Sequence, residues 1–167
     1  MVVAFQLLPE MADITDSVDA MRCRRNLESV FPHLVEYGQS HEQFPTSSTG
    51  ELDLPAVYDA LRVSKTERSL CPNNGQLDCY VFRRGLKPKD LIPDWQTEIP
   101  WTIIAMDKMS NHPITDGSFS GQFRVNALFS CDAASVSMIL TLDEYEMLER
   151  KLENGELFDN TILADTN

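Results

Sequence analysis

Long apolar runs are missing from this sequence of 167 residues. No segment reaches the roughly 18 to 20 consecutive apolar residues that are needed to span a bilayer. Residues 1–8 also lack the basic region and the cleavage site of a secretory signal. We therefore expect the chain as written to stay where it is made, and to reach a membrane only through a segment upstream of residue 1.

Positive charge is also scarce. The chain has 14 lysines and arginines against 26 aspartates and glutamates, a formal charge of -12, and residues 141–167 alone carry eight acids and two bases. Because binding to phosphates is driven by basic surface and counterion release, this balance argues against nucleic acid and anionic membrane surfaces as partners. Hydrophobic content of 43% with 24% charged residues is typical of one folded domain, which we place at residues 1–167.

The cysteines are few, and none of them forms a C-x2-C pair. Their spacing therefore indicates neither a redox pair nor a zinc knuckle. An even number is compatible with disulfides, but the residues alone fix neither the pairing nor the cellular compartment. The four cysteines are Cys23, Cys71, Cys79 and Cys131.

A sustained helical period, with no glycine before Gly38, marks the N-terminal part of the chain. Apolar residues that recur at steps of three and four predict one long helix from about Pro9 to Ser40 with an apolar stripe. Pro9 suits the first turn, where a missing N–H costs nothing, whereas Pro32 predicts a kink or a split. The predicted stripe is Met11, Ile14, Val18, Met21, Leu27, Val30 and Leu34.

Four short segments with β-branched and aromatic residues predict strands. The alternation of Phe123, Val125, Ala127 and Phe129 places one face of the third strand inward. A short turn at residues 130–134 predicts that the last two strands form an antiparallel hairpin. The predicted strands are Cys79–Phe82, Trp101–Met106, Phe123–Phe129 and Ser135–Leu140.

Two further helices and two loops complete the predicted elements. Residues 56–63 predict a short helix, while 45–55 and 107–121 have the prolines, glycines and polar residues of loops. The last helix opens with a capping box formed by Thr141 and Glu144 and ends at Gly155. We expect this helix to close an edge of the sheet. Its apolar stripe is Tyr145, Leu148 and Leu152.

Several short motifs follow one another in an order that matches a known family. They read LLP at 7–9, CRRNL at 23–27, a tyrosine at 37, FP at 44–45, AMDKMSNH at 105–112, NALF at 126–129 and TLDEYE at 141–146. Over about residues 7–154 this series resembles the bacterial prepilin-type proteins, the type IV pilins and type II secretion pseudopilins. The matched positions are Asn26, Phe44, Pro45, Asn111, His112, Asn126, Phe129 and Asp132.

The resemblance implies an α+β, pilin-like fold, in which a long N-terminal helix over 1–41 packs on a small antiparallel sheet within 42–140. A C-terminal helix over 141–155 and an acidic tail over 156–167 follow. It implies a non-enzymatic structural subunit of the cell envelope that binds other pilin-like subunits through its N-terminal helix. Because the leader and most of the membrane helix of that family are not in this sequence, we expect a monomer or a weak dimer.

The sequence departs from the family at its C-terminal signature, a histidine followed after nine residues by Asp-Gly. Here nineteen residues separate His112 from Asp132, and Ala133 follows in place of glycine. The alternative function is therefore a free-standing extracytoplasmic domain that uses the fold to bind a ligand or metal, or as an enzyme. The region from His112 to Asp132 would be its site.

The family pattern also bears on the cysteines. Cys23 and Cys71 stand where the family has cysteine, and Cys79 and Cys131 stand where it does not. The resemblance thus implies the disulfides Cys23–Cys71 and Cys79–Cys131, with Cys71–Cys79 as the alternative.

The residue types of a catalytic site and of a zinc site are present, but each has a simpler interpretation. Cys131 beside Asp132 and downstream of His112 has the residue types of a nucleophile and its base, but reactive thiols need an electropositive setting and this chain is acidic. A zinc site formed by Cys71, Cys79, His112 and Cys131 has the right ligand types but irregular spacing. We therefore expect no catalytic residue and no zinc.

A calcium loop is the remaining metal candidate. Asp116, Ser118 and Ser120 place oxygens at alternate positions, and Gly121 is the sixth residue of the series. The twelfth is Ala127, so the bidentate glutamate of such a loop is missing. Some pseudopilins carry calcium in a C-terminal loop, but a plain Gly/Ser loop accounts for these residues, and we expect no cofactor.

Overall fold

The computed structural model describes residues 7–68, 80–91, 102–108, 122–130 and 135–158. This part of the chain has an α+β fold with three α-helices, a 3-10 helix and a four-stranded antiparallel sheet. The elements are α1 (Leu7–Gly38), α2 (Leu54–Ala60), β1 (Tyr80–Phe82), the 3-10 helix (Pro88–Leu91), β2 (Ile103–Asp107), β3 (Gln122–Phe129), β4 (Ser135–Thr141) and α3 (Leu142–Glu153). Side chains are described from Met21 onward in α1 and from Arg124 onward in β3.

Each strand of the sheet pairs antiparallel with the next one in sequence, in the order β1-β2-β3-β4. β3 and β4 pair from Gln122 opposite Thr141 to Leu128 opposite Ser135, which confirms the predicted hairpin. The four described strands overlap the four predicted ones. The pairing of β3 with β4 is predictable from sequence because these strands are close together in the chain, and consecutive strands are usually neighbours in a sheet.

One face of the sheet packs against α1. The buried stripe of the helix is Cys23, Leu27, Val30, Phe31, Leu34 and Tyr37. It forms one core cluster with Phe82, Ile104 and Leu128 from three different strands. The prediction that the helix packs its stripe on a sheet face is confirmed for Leu27, Val30 and Leu34.

The predicted stripe was wrong at its middle. Met21 is 52% exposed. At about 100° per residue, Met21 lies half a turn away from both Cys23 and Val30, so it points from the side of the helix opposite to the core. The step of six residues from Met21 to Leu27 does not continue a helical stripe, and Cys23 takes the core position instead.

The helix continues through Pro32, so the split that was one of the two predicted outcomes does not occur, while the predicted kink stays a prediction. Proline removes one N–H and so leaves the carbonyl four residues earlier without its helical donor. Pro32 lies on the exposed side of α1. Water can hydrogen-bond to the carbonyl there, so the missing bond does not have to break the helix.

The opposite face of the sheet packs against α3, and the prediction that this helix closes an edge was wrong. Tyr145, Leu148 and Leu152 are buried in a second cluster. The sheet residues of that cluster are Ile103, Met106, Val125, Ala127, Phe129, Met138 and Leu140. Since all residues from Val125 to Phe129 are buried, β3 is covered on both faces. The fold is therefore a three-layer arrangement of helix, sheet and helix.

The ends of α3 follow the predicted local chemistry. The Thr141 side chain accepts from the Glu144 N–H, and the Glu144 carboxylate accepts from the Thr141 N–H. At the other end, Gly155 has φ +74° and its N–H donates to the Leu152 carbonyl. A Cβ at this glycine would lie 2.8 Å from the Arg84 carbonyl oxygen. Glycine is required here both by the backbone angle and by the close contact.

Two element bounds differ from the predicted ones for local reasons. The short helix predicted over 56–63 is α2, which begins earlier because Asp53 caps it by accepting from the Ala56 N–H at 3.0 Å. Pro55 fits the first turn of that helix. Asp107 was assigned to a loop but is the last residue of β2 and is fully buried.

Candidate functional site

A buried polar network crosses the sheet on the face that packs against α1. Asp107 in β2 and Asn126 in β3 are both fully buried. The Asn126 side-chain amide donates to Asp107 Oδ2 at 2.6 Å, and its backbone N–H donates to the same oxygen at 3.1 Å. The Ser137 hydroxyl in β4 donates to Asn126 Oδ1 at 2.7 Å. Three strands are thus joined by side chains in addition to their backbone pairing.

This network unites two motifs that carry the family resemblance. Asp107 belongs to the AMDKMSNH segment and Asn126 opens the NALF segment. A buried carboxylate is costly unless it accepts hydrogen bonds, and here an amide and a backbone N–H both donate to it. Because both groups lie inside the core, they hold strands together and offer no surface to a substrate.

A second polar contact joins α1 to the first residue of β4. Arg24 Nε donates to Ser135 Oγ at 2.8 Å, and Arg24 Nη2 donates to the Ser135 carbonyl at 3.0 Å. The Ser135 hydroxyl donates to Glu28, which also forms an ion pair with Arg24. The three side chains therefore fix where α1 lies along the edge of the sheet.

A buried arginine joins β1 to the 3-10 helix. Arg83 Nη2 lies 2.9 Å from Asp90 Oδ2, and Nη1 lies 3.3 Å from Thr102 Oγ1. Burial lowers the pKa of Arg83, while the Asp90 carboxylate acts in the opposite direction. The Lys87 backbone N–H also donates to Asp90 Oδ2, at 2.9 Å. This carboxylate consequently links Arg83, at the start of the loop between β1 and the 3-10 helix, to Lys87 at its end.

A concave surface lies where α1 ends. This helix-end cleft has a volume of about 780 Å³ and is lined by residues 35, 38–43, 87–89 and 91. The chain leaves the helix through stacked rings: His41 packs on Tyr37 at 4.0 Å, and the ring of the buried Phe44 lies 5.7 Å from the Tyr37 ring. The Phe44-Pro45 motif therefore fixes how the chain turns away from α1.

The cleft contains Ser40 beside His41, but the histidine does not activate the serine as a nucleophile. His41 Nδ1 lies 3.1 Å from Ser40 Oγ and 3.0 Å from the Tyr37 carbonyl oxygen. A carbonyl only accepts, so Nδ1 must carry a proton to bond to it and cannot at the same time take one from Ser40. What the cleft offers instead is charge, since Lys87 and Lys89 line it together with the single carboxylate of Glu42.

The predicted site residues divide into two groups. Within the described chain, Cys23, Phe44 and Phe129 are buried, while Asn26 on α1 and Pro45 are half-buried. These positions serve packing and chain direction. The others lie outside the described residues, and predictions about them stay predictions. They are Asn111, His112 and Asp132, the calcium candidates Asp116, Ser118 and Ser120, and the cysteines Cys71, Cys79 and Cys131.

Sequence reasoning missed the polar links between distant residues. The only available signal was an aspartate at the end of an apolar strand, at Asp107, which is unusual for a buried position. Nothing in the sequence relates Arg24 to Ser135, which are 111 residues apart. Nothing in the sequence indicates the burial of Arg83 either, because that burial depends on the 3-10 helix folding back over the side chain.

In the ranges that the structure describes, no helix combines the length and the apolar composition that spanning a membrane requires. Nor do those ranges contain a group of three or more histidine, cysteine, aspartate or glutamate side chains placed to hold a metal ion. Comparison of the chain with protein-family models, with curated proteins and with solved structures found no match.

Proposed function

We propose that the protein is a non-enzymatic structural subunit, the head of a pilin-like or pseudopilin-like protein of a cell-envelope filament or secretion system. It acts by packing against other subunits through the N-terminal part of α1. By itself the chain associates only weakly. The proposal rests on the motif series described above together with the shape of α1.

The length of α1 is the observation that carries this proposal. With 32 residues the helix is about 48 Å long, at 1.5 Å per residue. The described stripe that packs in the core runs from Cys23 to Tyr37, which is about 21 Å of that length. A long N-terminal helix of this kind is what the resemblance to prepilin-type subunits implies, since such subunits assemble through that helix.

The motif residues of the described chain support a scaffold in preference to an active site. Asp107 and Asn126 form a hydrogen bond to each other inside the core, and Phe44 and Phe129 are buried. A catalytic group would have to reach a substrate from a cleft. These residues therefore support a role in holding the head together.

The experiment is to supply the segment that the family uses for assembly. The DNA immediately before Met1 is read first, and an in-frame leader followed by a hydrophobic helix is the expected result. Expressed with that segment, or with one from a prepilin-type protein, the chain should enter the membrane and appear in filaments sheared from cells. The matched control carries two aspartates in the middle of the hydrophobic segment, which the bilayer core disfavours.

Two results would contradict the proposal. One is a membrane-anchored protein that is folded but never enters filaments. The other is turnover of a small substrate by the purified chain that disappears in His112→Ala or Asp132→Ala while the fold survives. A filament subunit has no chemical use for those side chains.

A further inference from the structure

A basic segment stands out in this acidic chain. Residues 83–89 contain four of the 14 bases and no acid. Arg83 is buried and paired with Asp90, whereas Lys87 and Lys89 are exposed and line the helix-end cleft. Among the described residues neither lysine forms an ion pair. The cleft therefore presents two positive charges that the described part of the molecule does not neutralise.

The two lysines are held in a fixed place relative to α1. Asp90 fixes the segment by accepting from both Arg83 and the Lys87 N–H. Pro88, between the lysines, packs so closely on the end of α1 that a Cβ at Gly38 would lie 2.7 Å from the Pro88 Cβ. The backbone that carries both charges is thus packed against the last turn of the helix.

The other end of the same helix has the opposite charge. Residues 7–21, which we name the acidic start, contain four acids and no base. They lie at the beginning of α1, and the cleft lies at its end. From residue 14 to residue 38 the helix rises about 36 Å, at 1.5 Å per residue. A continuous helix keeps its ends apart, so the acidic start and the cleft of one molecule cannot meet.

We propose that the helix-end cleft binds the acidic start of a second copy of this chain. Charge complementarity favours this occupant, because the acidic start has four carboxylates and the cleft has two lysines against Glu42. Val35, Pro88 and Leu91 give the cleft an apolar floor for the apolar residues between those acids. The contact joins two different surfaces, so it repeats in one direction and leads to an open chain of subunits, not a closed dimer.

The dependence of self-association on salt concentration follows from the different ranges of two electrostatic interactions. The overall charge of -12 makes whole heads repel over tens of ångströms, and this repulsion is screened at about 0.1 M salt, where the Debye length is about 10 Å. The lysine–carboxylate contacts act over a few ångströms and are lost only when the Debye length falls to about 3 Å, near 1 M salt. Association is therefore strongest near 0.1 M salt and weaker on either side.

The test uses the chain as it stands and two neutralised variants. Sedimentation velocity of the wild type near 0.1 M salt should show a weight-average mass that rises with concentration. Lys87→Gln with Lys89→Gln removes the cleft charges, and Asp13→Asn with Asp16→Asn removes charge from the acidic start. Each should weaken self-association about tenfold, which is what losing two exposed ion pairs amounts to.

Mixing the two variants separates this contact from any symmetrical one. The lysine variant keeps its acidic start and the aspartate variant keeps its cleft, so one contact per pair remains. The mixture should form a one-to-one dimer and nothing longer. As a matched control, Lys65→Gln with Arg124→Gln neutralises two exposed bases elsewhere and should associate like the wild type. Circular dichroism and the melting temperature show that each variant is folded.

Three results would overturn the inference. They are a wild type that stays monomeric at every salt concentration, a lysine variant that associates like the wild type, and a mixture that forms assemblies longer than two. The inference rests on the proposed function, but the two fail separately. Filaments formed by the lysine variant fused to a hydrophobic helix would leave the structural role standing and eliminate only this contact.

Discussion

The two faces of the sheet are held to their helices in different ways. Toward α1, the core contacts are accompanied by side-chain hydrogen bonds that link Asp107, Asn126 and Ser137 across three strands, and Arg24 to Ser135. Toward α3, the described cluster is made of apolar side chains and the ring of Tyr145, whose hydroxyl turns to Glu149 on its own helix. The α1 face therefore combines apolar packing with polar contacts, whereas the α3 face relies on apolar packing.

The two faces contribute differently to the fold, one mainly to its stability and the other to the register of its strands. Burial of apolar area is non-directional, so the α3 face contributes free energy without fixing the position of each strand very strictly. A hydrogen bond between buried groups works at one geometry only, and a slip of one residue would move Asn126 to the other face and leave a buried carboxylate without its donors. The α1 face therefore determines which register that free energy supports.

The largest loss of stability is expected on the face of the sheet that packs against α3. Leu148→Ala removes a fully buried side chain from the α3 cluster and should lower the free energy of unfolding by about 3 kcal/mol, since it loses transfer energy and leaves a cavity. Urea denaturation measures this. The control Leu142→Ala, at a position 41% exposed on the same helix, should change stability by less than about 0.5 kcal/mol. Equal losses at both positions would show that α3 does not pack as described.

On the face of the sheet toward α1, substitutions at Asp107 and Asn126 should be energetically coupled. Asn126→Ala removes an amide donor to Asp107 and the acceptor of Ser137, and should cost about 2 to 3 kcal/mol. In a double-mutant cycle with Asp107→Ala the two losses should be far from additive, with a coupling energy of about 1 to 3 kcal/mol. The cycle of Asn126→Ala with Leu148→Ala, across the sheet, should be additive to within about 0.5 kcal/mol. Additivity in both cycles would refute the distinction between the faces.

A smaller effect is expected where β4 passes directly into α3. Thr141→Ala removes the N-cap oxygen and should cost about 1 kcal/mol. Thr141→Ser keeps that oxygen and serves as the control, with stability close to the wild type. If the serine and alanine variants unfold at the same urea concentration, the capping box does not stabilise α3.

The smallest effect is expected at the half-exposed contact between α1 and β4. Ser135→Ala removes the hydroxyl between Arg24 and Glu28 and should cost about 0.5 to 1 kcal/mol, because exposed polar contacts contribute little. Ser48→Ala, on an exposed loop, should have no measurable effect. Amide hydrogen exchange adds a local measurement, since faster exchange in β4 is expected in Ser135→Ala alone. Unchanged exchange there would mean that Arg24 and Glu28 hold β4 without the serine.

Sequence reasoning anticipated the elements whose causes are local. The capping box at Thr141, the glycine at Gly155 and the pairing of β3 with β4 each depend on residues close together in the chain, so the residues themselves specify the outcome. The long helix was also anticipated, but its stripe was misplaced at Met21. The reason is that periodicity gives the existence of an apolar side more securely than its exact direction.

By itself, then, the sequence determined an α+β chain with one long helix, paired neighbouring strands and a capped last helix, because short-range backbone and periodic preferences act wherever those residues occur. Only the tertiary structure decided that α3 covers the second face of the sheet, that Asp107 meets Asn126 and that Arg24 meets Ser135. It also brought Lys87 and Lys89 to the end of α1. These contacts join residues far apart in the chain, and their energies exist only once the chain has folded and water has been excluded from between them.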